Sequence, residues 1–321
     1  MTDSERNKSL RLTRTKSRNT REVVSIHRRS ELPGVEIRSL KDSARTFHFY
    51  STELQLFAPI SWRGELWHRR RKVVMEPGTL LCAHPGEVYS CRRVIAQGAA
   101  NFLAIDSSVF REHLSGLPLS KLQLRGFTKM SKLLEEKLRQ VFRVIRPSST
   151  TREVQTAMVE FIELMAAELL EETSDGATSI DAAQRNADRV RECLHGDATA
   201  TPELSALAKQ AEVSRFRVLR TFKLRYGLPP HAYLLSVRVA LAQKALREGH
   251  QPAQVAAQYG FFDQSHLTRH FKRFLGVTPA QYARLGAHSC VPSRADLVAE
   301  VARNAPQRSN SGPCSFQACE F

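Results

Sequence analysis

The chain has 321 residues, of which 42% are hydrophobic and 25% charged, and it carries a formal net charge of +16 with a pI near 10.0. Because this length exceeds what one hydrophobic core usually serves, two domains are expected. No apolar run of about 18 residues is present, and none follows the basic N-terminus, so we expect neither a membrane span nor a secretory signal. These features predict a cytoplasmic protein with a polyanionic partner, such as nucleic acid.

The first 30 residues are basic, polar and rich in Ser and Thr. We expect this arm to be disordered because it has almost no apolar residues to bury. The arm could make nonspecific contacts with phosphates, or it could be a solvated tail without a specific role, and the sequence leaves both alternatives open. Its cationic residues are Lys8, Arg11, Arg14, Lys16, Arg18, Arg21, Arg28 and Arg29.

Short strands are predicted between residues 31 and about 110. The turn signals Pro33-Gly34, Pro77-Gly78 and Pro85-Gly86 separate them, a spacing typical of a small all-β barrel or sandwich. The predicted strands are Thr46–Tyr50, Leu54–Phe57, Leu80–Cys82, Glu87–Cys91 and Asn101–Ile105.

Two amphipathic helices are predicted between about 128 and 172. Thr150 and Glu153 have the spacing of a capping box at the start of the second helix. The apolar stripe of the first comprises Leu133, Leu134, Leu138, Val141, Phe142 and Ile145, and Pro147 ends it. That of the second comprises Val154, Met158, Phe161, Met165 and Leu169. Packing on their own strand domain and dimerisation through one of these helices are both open.

The six cysteines are scattered, without a C-x-x-C pair or a His-rich neighbourhood. We therefore expect no zinc site, no disulfide framework and no cofactor, and we interpret most of them as reduced thiols. These cysteines are Cys82, Cys91, Cys193, Cys290, Cys314 and Cys319.

Small residues at 173–182 form the best candidate linker, and residues 287–321 are predicted to be a disordered tail. Between them, residues 183–286 contain an internal repeat. A shift of 49 residues superposes seven identical positions. The pairs are Ala208/Ala257, Arg220/Arg269, Phe222/Phe271, Lys223/Lys272, Gly227/Gly276, Pro230/Pro279 and Tyr233/Tyr282.

Each copy is predicted to contain a short helix, a tight turn and a longer basic helix that ends at a Gly. In the first copy Thr201 is expected to cap the short helix, with Pro202 in its first turn, and Ser214 to cap the long one. In the second copy Gly260 lies in the turn and Asp263 caps the long helix. The long helices are expected to bury Val218, Phe222 and Tyr226 in one copy and Leu267, Phe271 and Phe274 in the other.

The opposite face of each long helix is basic and polar, and residues 200–286 hold 13 Lys/Arg against 4 Asp/Glu, a net +9. A helix of this kind fits the DNA major groove, where Arg reads guanine, Gln reads adenine, and Lys and Arg hold phosphates. Two copies at fixed spacing make this prediction specific.

The segment GFFDQSHLTRHFKRF at 260–274, followed by LGVTPAQY at 275–282, closely resembles the signature of the AraC/XylS family of transcription regulators. The resemblance implies two recognition helices in successive major grooves about 34 Å apart, joined by a linking helix at about 231–247. The residues it assigns to DNA binding are Arg215, Phe216, Arg217, Leu219, Arg220, Lys223, Gln264, Ser265, His266, Thr268, Arg269 and Lys272. For Leu219, contact with a thymine methyl and a place in the core are both open.

The segment MEPGTLLCAHPGEVY at 75–89 resembles the cupin-like, effector-binding barrel of many of these regulators. The resemblance implies an effector pocket, for which the candidate residues are His48, Tyr50, Trp62, Trp67 and Tyr89, although each is equally compatible with an ordinary structural role. One His with two Tyr makes a poor metal site, so we expect no metal and no enzyme activity.

The predicted fold is therefore an α+β two-domain protein: a cupin-like β-barrel with following helices at 31–172, and an all-α domain with two helix-turn-helix motifs at 183–286. The predicted function is effector-controlled transcription regulation, and the resemblance implies activation. The expected partners are promoter DNA, RNA polymerase, a small-molecule effector and a homodimeric copy, and no membrane association is expected. A constitutive regulator whose barrel only dimerises is the alternative, and a cupin enzyme with an appended DNA-binding domain is a remoter one.

Overall fold

The computed structural model describes residues 9–17, 20–29, 32–109, 122–145, 149–172 and 182–284. Within them, a strand-rich N-terminal domain with two helices precedes a helical C-terminal domain, which confirms the predicted fold class. The predicted tail lies outside the described residues, as do all but the last residue of the predicted linker.

The N-terminal strands pair mainly into two antiparallel sheets. The seven-stranded sheet has the order β1-β2-β3-β10-β5-β8-β12, the four-stranded sheet has the order β4-β9-β6-β7, and β11 pairs with β13. The strands are β1 Ser9–Ser17, β2 Thr20–His27, β3 Val35–Ser43, β4 His48–Tyr50, β5 Leu54–Pro59, β6 Arg63–His68, β7 Arg71–Met75, β8 Thr79–Ala83, β9 Val88–Ala96, β10 Gly98–Ile105, β11 Leu122–Leu124, β12 Phe127–Lys129 and β13 Leu170–Glu172.

Aromatic side chains fill the space between the two large sheets. Phe47 lies at the centre, with its ring centroid 5.7 Å from that of Phe57 and 6.2 Å from those of Trp62 and Tyr89. Successive side chains of a strand point to opposite faces of the sheet, so the residues that alternate with the inward-facing ones lie on the outer face of the larger sheet. On that face Leu103 is paired with Ile37 of β3 and with Leu56 of β5. Both faces of its central strands, β5, β8 and β10, are therefore buried.

Two helices, α1 (Lys132–Val144) and α2 (Thr151–Leu169), cover that outer face. The predicted capping box of α2 is confirmed, because Thr150 Oγ1 accepts from the Glu153 amide and the Thr150 amide donates to Glu153. The predicted stripe of α2 is buried throughout. The apolar stripe predicted for α1 wrongly includes Leu133, which is 56% exposed.

The prediction of an arm without regular structure is wrong for β2, which is hydrogen-bonded to β3 in the larger sheet. Glu22, Val24 and Ile26 are buried, whereas Val23 is exposed and Ser25 is half-buried, which is the alternation of a strand with one buried face. The alternation is short and is surrounded by basic residues, so the sequence alone did not predict a strand here. The N-terminal domain therefore begins before residue 31.

The C-terminal domain consists of seven helices within the described residues. The longest, α6, lies at its centre and is buried on nearly all sides, as an apolar helix packed all round must be. The helices are α3 Ala182–Gly196, α4 Leu204–Gln210, α5 Arg215–Tyr226, α6 Pro230–Arg247, α7 Pro252–Gln258, α8 Gln264–Leu275 and α9 Pro279–Ala283.

The two domains pack against each other through a buried and partly polar interface. Tyr50 on β4 lies 5.9 Å from the Tyr233 ring on α6. Glu36 on β3, which is buried, accepts hydrogen bonds from Gln243 Nε2 at 3.2 Å and from the Tyr282 hydroxyl. Arg247 on α6 forms a 2.6 Å ion pair with Glu53 of the N-terminal domain. One continuous apolar cluster extends across this interface.

Among the described residues, no helix is both long and apolar enough to cross a membrane.

Candidate nucleic-acid interface

Helices α4 and α5 form the first helix-turn-helix unit. Ser214 Oγ accepts from the Arg217 amide at 3.3 Å, so the predicted cap of α5 is confirmed. The predicted cap of α4 is wrong, because this helix begins at Leu204 and the Thr201 hydroxyl instead accepts from Arg238 at 3.0 Å. Helix α5 ends where Gly227 adopts a φ of 77°.

Helices α7 and α8 form the second unit. Asp263 Oδ1 accepts from the His266 amide at 2.6 Å and caps α8, as predicted. Gly260 in the turn has a φ of 71°, and a Cβ there would lie 2.5 Å from the carbonyl oxygen of Thr199. The turn therefore requires glycine for two independent reasons.

Arg238 on α6 fixes the loop that precedes the first unit. Its Nε donates to the Ala198 carbonyl at 2.6 Å, and its Nη2 donates to those of Thr199 and Ala200 at 2.8 Å. The same loop contacts Gly260, so α6 and this loop join both units into one body. Arg238 lies within the linking helix predicted at about 231–247, but the sequence did not reveal this role.

Helix α5 presents its predicted reading face to solvent. Val218 and Phe222 are buried on the inner side, whereas Phe216 is 73% exposed. Leu219 is 39% exposed, so it does not belong to the core, and contact with a base stays a prediction for it. The other exposed residues predicted to bind DNA on this helix are Arg215, Arg217, Arg220 and Lys223.

Helix α8 presents a face of different chemistry. Gln264, Ser265, Arg269 and Lys272 are exposed. His266 and Thr268 are half-buried, and both make hydrogen bonds within the unit: His266 Nδ1 accepts from the Phe262 amide at 3.2 Å, and the Thr268 hydroxyl donates to the Gln264 carbonyl at 2.8 Å. Burial and the nearby Arg269 lower the pKa of His266, which favours a neutral ring.

The two exposed faces have a positive electrostatic potential. Helix α5 contains five Lys/Arg residues and α8 contains three, and neither helix contains Asp or Glu. Such helices attract the phosphates on either side of a DNA groove while their exposed side chains face the bases.

The five predicted effector-binding residues do not share one pocket. Tyr50, Trp62 and Tyr89 are buried, and the Tyr89 hydroxyl donates to Gln55 at 2.7 Å inside the N-terminal domain. Trp67 packs against the backbone of Gly227 in the C-terminal domain. Their role in effector binding stays a prediction.

His48 is the member of this set that lines a cavity of about 320 Å³ between the two domains. The cavity wall includes three cationic side chains, those of Arg92, Lys223 and Arg273, and no acidic one. The remaining lining residues are Thr46, Phe47, Ser90, Cys91, Gly227, Leu228, Pro229 and Phe274.

Several exposed or interdomain residues were missed by the sequence reasoning. Phe262, directly before the cap of α8, is 93% exposed, and Leu224 on α5 is 65% exposed. Their apolar character at positions facing away from the predicted stripe was the available signal. Arg45 and Arg92 contact the C-terminal domain, and no sequence signal separates them from other surface arginines.

Within the described ranges, no group of three or more His, Cys, Asp or Glu side chains has the geometry to hold a metal ion.

A family model described as "Helix-turn-helix domain" matches residues 207–285. A Streptomyces lividans protein described as an AraC-like transcription regulator is 38% identical over 93 residues, which are 29% of this chain and 31% of that protein. The multiple antibiotic resistance protein MarA of Salmonella typhimurium is 29% identical over 86 residues, 26% of this chain and 68% of MarA. The chain thus spans about a third of the length of the Streptomyces relative.

A solved structure of ToxT from Vibrio cholerae, described as bound to an unsaturated fatty acid, covers 86% of this chain and 100% of its own. The sequence identity is 13% and the TM-score is 0.45, so this likeness assigns no function.

Proposed function

We propose that this chain is a sequence-specific DNA-binding transcription regulator of the AraC/XylS type. The observation that carries the proposal is the pair of capped helices α5 and α8, which expose basic, acid-free faces of unlike chemistry from one rigid domain. The relatives named above are regulators or resistance proteins rather than enzymes, which agrees with the expectation of no enzyme activity.

The unlike faces predict an asymmetric DNA site, with two different half-elements about one helical turn apart. Helix α5 offers Phe216 and Arg220 to one half-element, and α8 offers Gln264 and Arg269 to the other. Activation through RNA polymerase, a homodimeric state and a cytoplasmic location belong to the same proposal and rest on the family resemblance.

The test is DNA binding by the full chain and its Arg269→Ala variant, on the site that the wild-type chain selects from a random duplex library. Loss of one bidentate contact to guanine is expected to weaken specific binding by about 5- to 150-fold, with nonspecific binding nearly unchanged. Arg284→Ala is the matched control, since Arg284 is exposed in the same domain and outside both reading faces. Unchanged specific binding by Arg269→Ala would overturn the assignment of α8.

Control by a small-molecule effector is the finer part of the proposal, and the interdomain cavity supports it. A volume of about 320 Å³ suits a small ligand. Its apolar lining by Phe47, Leu228 and Phe274, together with the three cationic side chains, fits a molecule with an apolar body and one anionic group. We place the effector there rather than among the packed aromatic rings of the strand core.

Anilinonaphthalene sulfonate, an apolar body with one anionic group, is a suitable probe for this cavity. Thr46 lines the cavity and is exposed, so Thr46→Trp is expected to fill it without disturbing the core and to weaken probe binding about tenfold or more. Thr151→Trp, at an exposed position on α2, serves as the control. Equal binding of the probe by both variants would contradict the cavity as the effector site and favour the constitutive alternative.

A further inference from the structure

The two reading helices end against the N-terminal domain. A Cβ on Gly227, at the end of α5, would lie 2.3 Å from the Trp67 ring of β6. A Cβ on Gly276, at the end of α8, would lie 2.6 Å from Val24 of β2. Each contact is so close that only a glycine fits, and each involves the last turn of a predicted recognition helix.

An arginine of the N-terminal domain donates a hydrogen bond to each of these ends. Arg92 Nη2 donates to the Gly227 carbonyl at 3.1 Å, and Arg45 Nη1 donates to the Lys272 carbonyl at 3.2 Å. Both helix ends have a backbone cap, since the Gly227 amide donates to the Lys223 carbonyl and the Gly276 amide donates to the Lys272 carbonyl. The C-terminal end of a helix carries partial negative charge, so the two arginines of the N-terminal domain each add a stabilising cation to a capped end.

Both arginines are held by contacts within the N-terminal domain. Arg45 forms a 2.5 Å ion pair with Glu22, which is buried on β2. The Arg92 guanidinium lies 5.7 Å from the centre of the Trp67 ring, within the range of a cation–π interaction, and Trp67 is the residue that Gly227 contacts. Because β2 belongs to the seven-stranded sheet and β6 and β9 belong to the four-stranded sheet, and buried side chains pack the two sheets together, the two capping points keep a fixed separation.

We propose that Arg45 and Arg92 are positioning residues that set the separation and relative orientation of the two reading helices from their C-terminal ends. This inference rests on the proposed function in DNA binding. The residues predicted to read bases on α8, such as Gln264 and Ser265, lie near its N-terminal end and remain exposed while the C-terminal end is held. The clamp therefore contributes, together with α6, to the DNA spacing that the two helices fit.

Spacing selectivity is the property that tests the clamp. One inserted base pair moves the half-elements by about 3.4 Å along the duplex and rotates them by roughly 35°, which a rigid pair of helices cannot follow. The probes are the site that the wild-type full chain selects from a random library, and the same site with one base pair added or removed between the half-elements. We expect the wild-type chain to prefer its own spacing by about tenfold or more.

The Arg45→Met and Arg92→Met double variant keeps side-chain length but loses both donors. Its preference for the selected spacing is expected to fall to about twofold or less, with affinity for the best site retained within about threefold. Arg93→Met is the control, because Arg93 neighbours Arg92 in the sequence but pairs with Glu65 on the outer sheet face. The Arg92→Lys single variant, which keeps the charge at a partly exposed position, is expected to retain most of the preference.

A merely structural role would lower thermal stability without changing the ratio between spacings, so the ratio is measured well below the unfolding midpoint of each variant. Unchanged spacing preference in the double variant and in each single Met variant overturns the clamp. Failure of the wild-type chain to select any DNA site overturns the proposed function instead, so the two failures are distinguishable.

Discussion

At the residue scale, glycine positions connect the sequence most directly to the backbone. The turn signals at Gly34, Gly78 and Gly86 were predicted from their Pro-Gly pairs, and all three residues have φ between 84° and 87°. What the sequence did not contain is the surroundings of each glycine. Nothing lies within 4 Å of a Cβ built on Gly78, whereas one built on Gly260 meets backbone.

That difference predicts unequal costs for the same substitution. Gly78→Ala is expected to lower the free energy of unfolding by about 1 kcal/mol, the strain of a left-handed alanine. Gly260→Ala adds a 2.5 Å contact with the Thr199 carbonyl, so its cost is expected to reach roughly 2–4 kcal/mol. Urea denaturation of the two variants measures both values. Equal losses would show that the loop at 198–201 moves away at little cost.

Capping residues show where local patterns are sufficient and where they fail. Thr150, Ser214 and Asp263 were identified as caps from the sequence and accept the expected amide hydrogen bonds. Thr201 has the same local pattern, but Arg238, 37 residues further along the chain, binds its hydroxyl. A tertiary contact therefore replaced the local one, and no window of sequence contains that information.

At the element scale, the helices were more predictable than the strands. The 49-residue repeat located both helix-turn-helix units, and α6 begins within one residue of its predicted start and ends at the predicted residue. Strands β6 and β7 were missed because charged residues such as Arg63, Arg71 and Lys72 occupy their exposed sides. Short strands with few buried residues give a weak alternation, and pairing with neighbours, rather than propensity, makes them strands.

Burial of α6 on nearly all sides also had a cause outside the helix. The helix-turn-helix units cover part of its surface, and β4 of the N-terminal domain covers another part through Tyr50. The sequence showed an apolar linking helix but not the second partner. An all-round apolar helix in a small domain is nevertheless a signal that something else packs on it.

At the scale of the whole molecule, the docking of the two domains was not predicted. It depends on long-range pairs such as Glu36 with Tyr282 and Glu53 with Arg247, which are about 200 or more residues apart. The same docking places the cavity against both reading helices and brings Arg45 and Arg92 to their ends. The predicted pocket inside the strand domain considered that domain alone, and so did not anticipate a cavity that needs both.

The buried Glu36 makes this docking dependent on pH. Burial by itself would raise the pKa of Glu36, but the neighbouring Arg28 and Arg247 guanidiniums and the Tyr282 hydroxyl hold it at about 2, below the ordinary 4.5. A carboxylate whose pKa is lower in the folded state than in the unfolded state stabilises the folded state, and this stabilisation is complete at pH values above the unfolded-state pKa. It is lost as the pH falls from about 4.5 towards 2. The loss amounts to something on the order of 3 kcal/mol.

Comparison of the wild-type chain with Glu36→Gln isolates this contribution from the other titrating groups. The difference between their unfolding free energies, from urea denaturation at each pH, is expected to be constant above about pH 5 and to shrink steadily below pH 4.5. Glu171→Gln is the control, since Glu171 is an exposed carboxylate of the same domain paired with Arg125, and its removal is expected to change stability by less than about 0.5 kcal/mol. A Glu36→Gln difference that stays constant down to pH 2.5 would mean that the neighbouring guanidiniums and the Tyr282 hydroxyl do not hold Glu36 in its charged form.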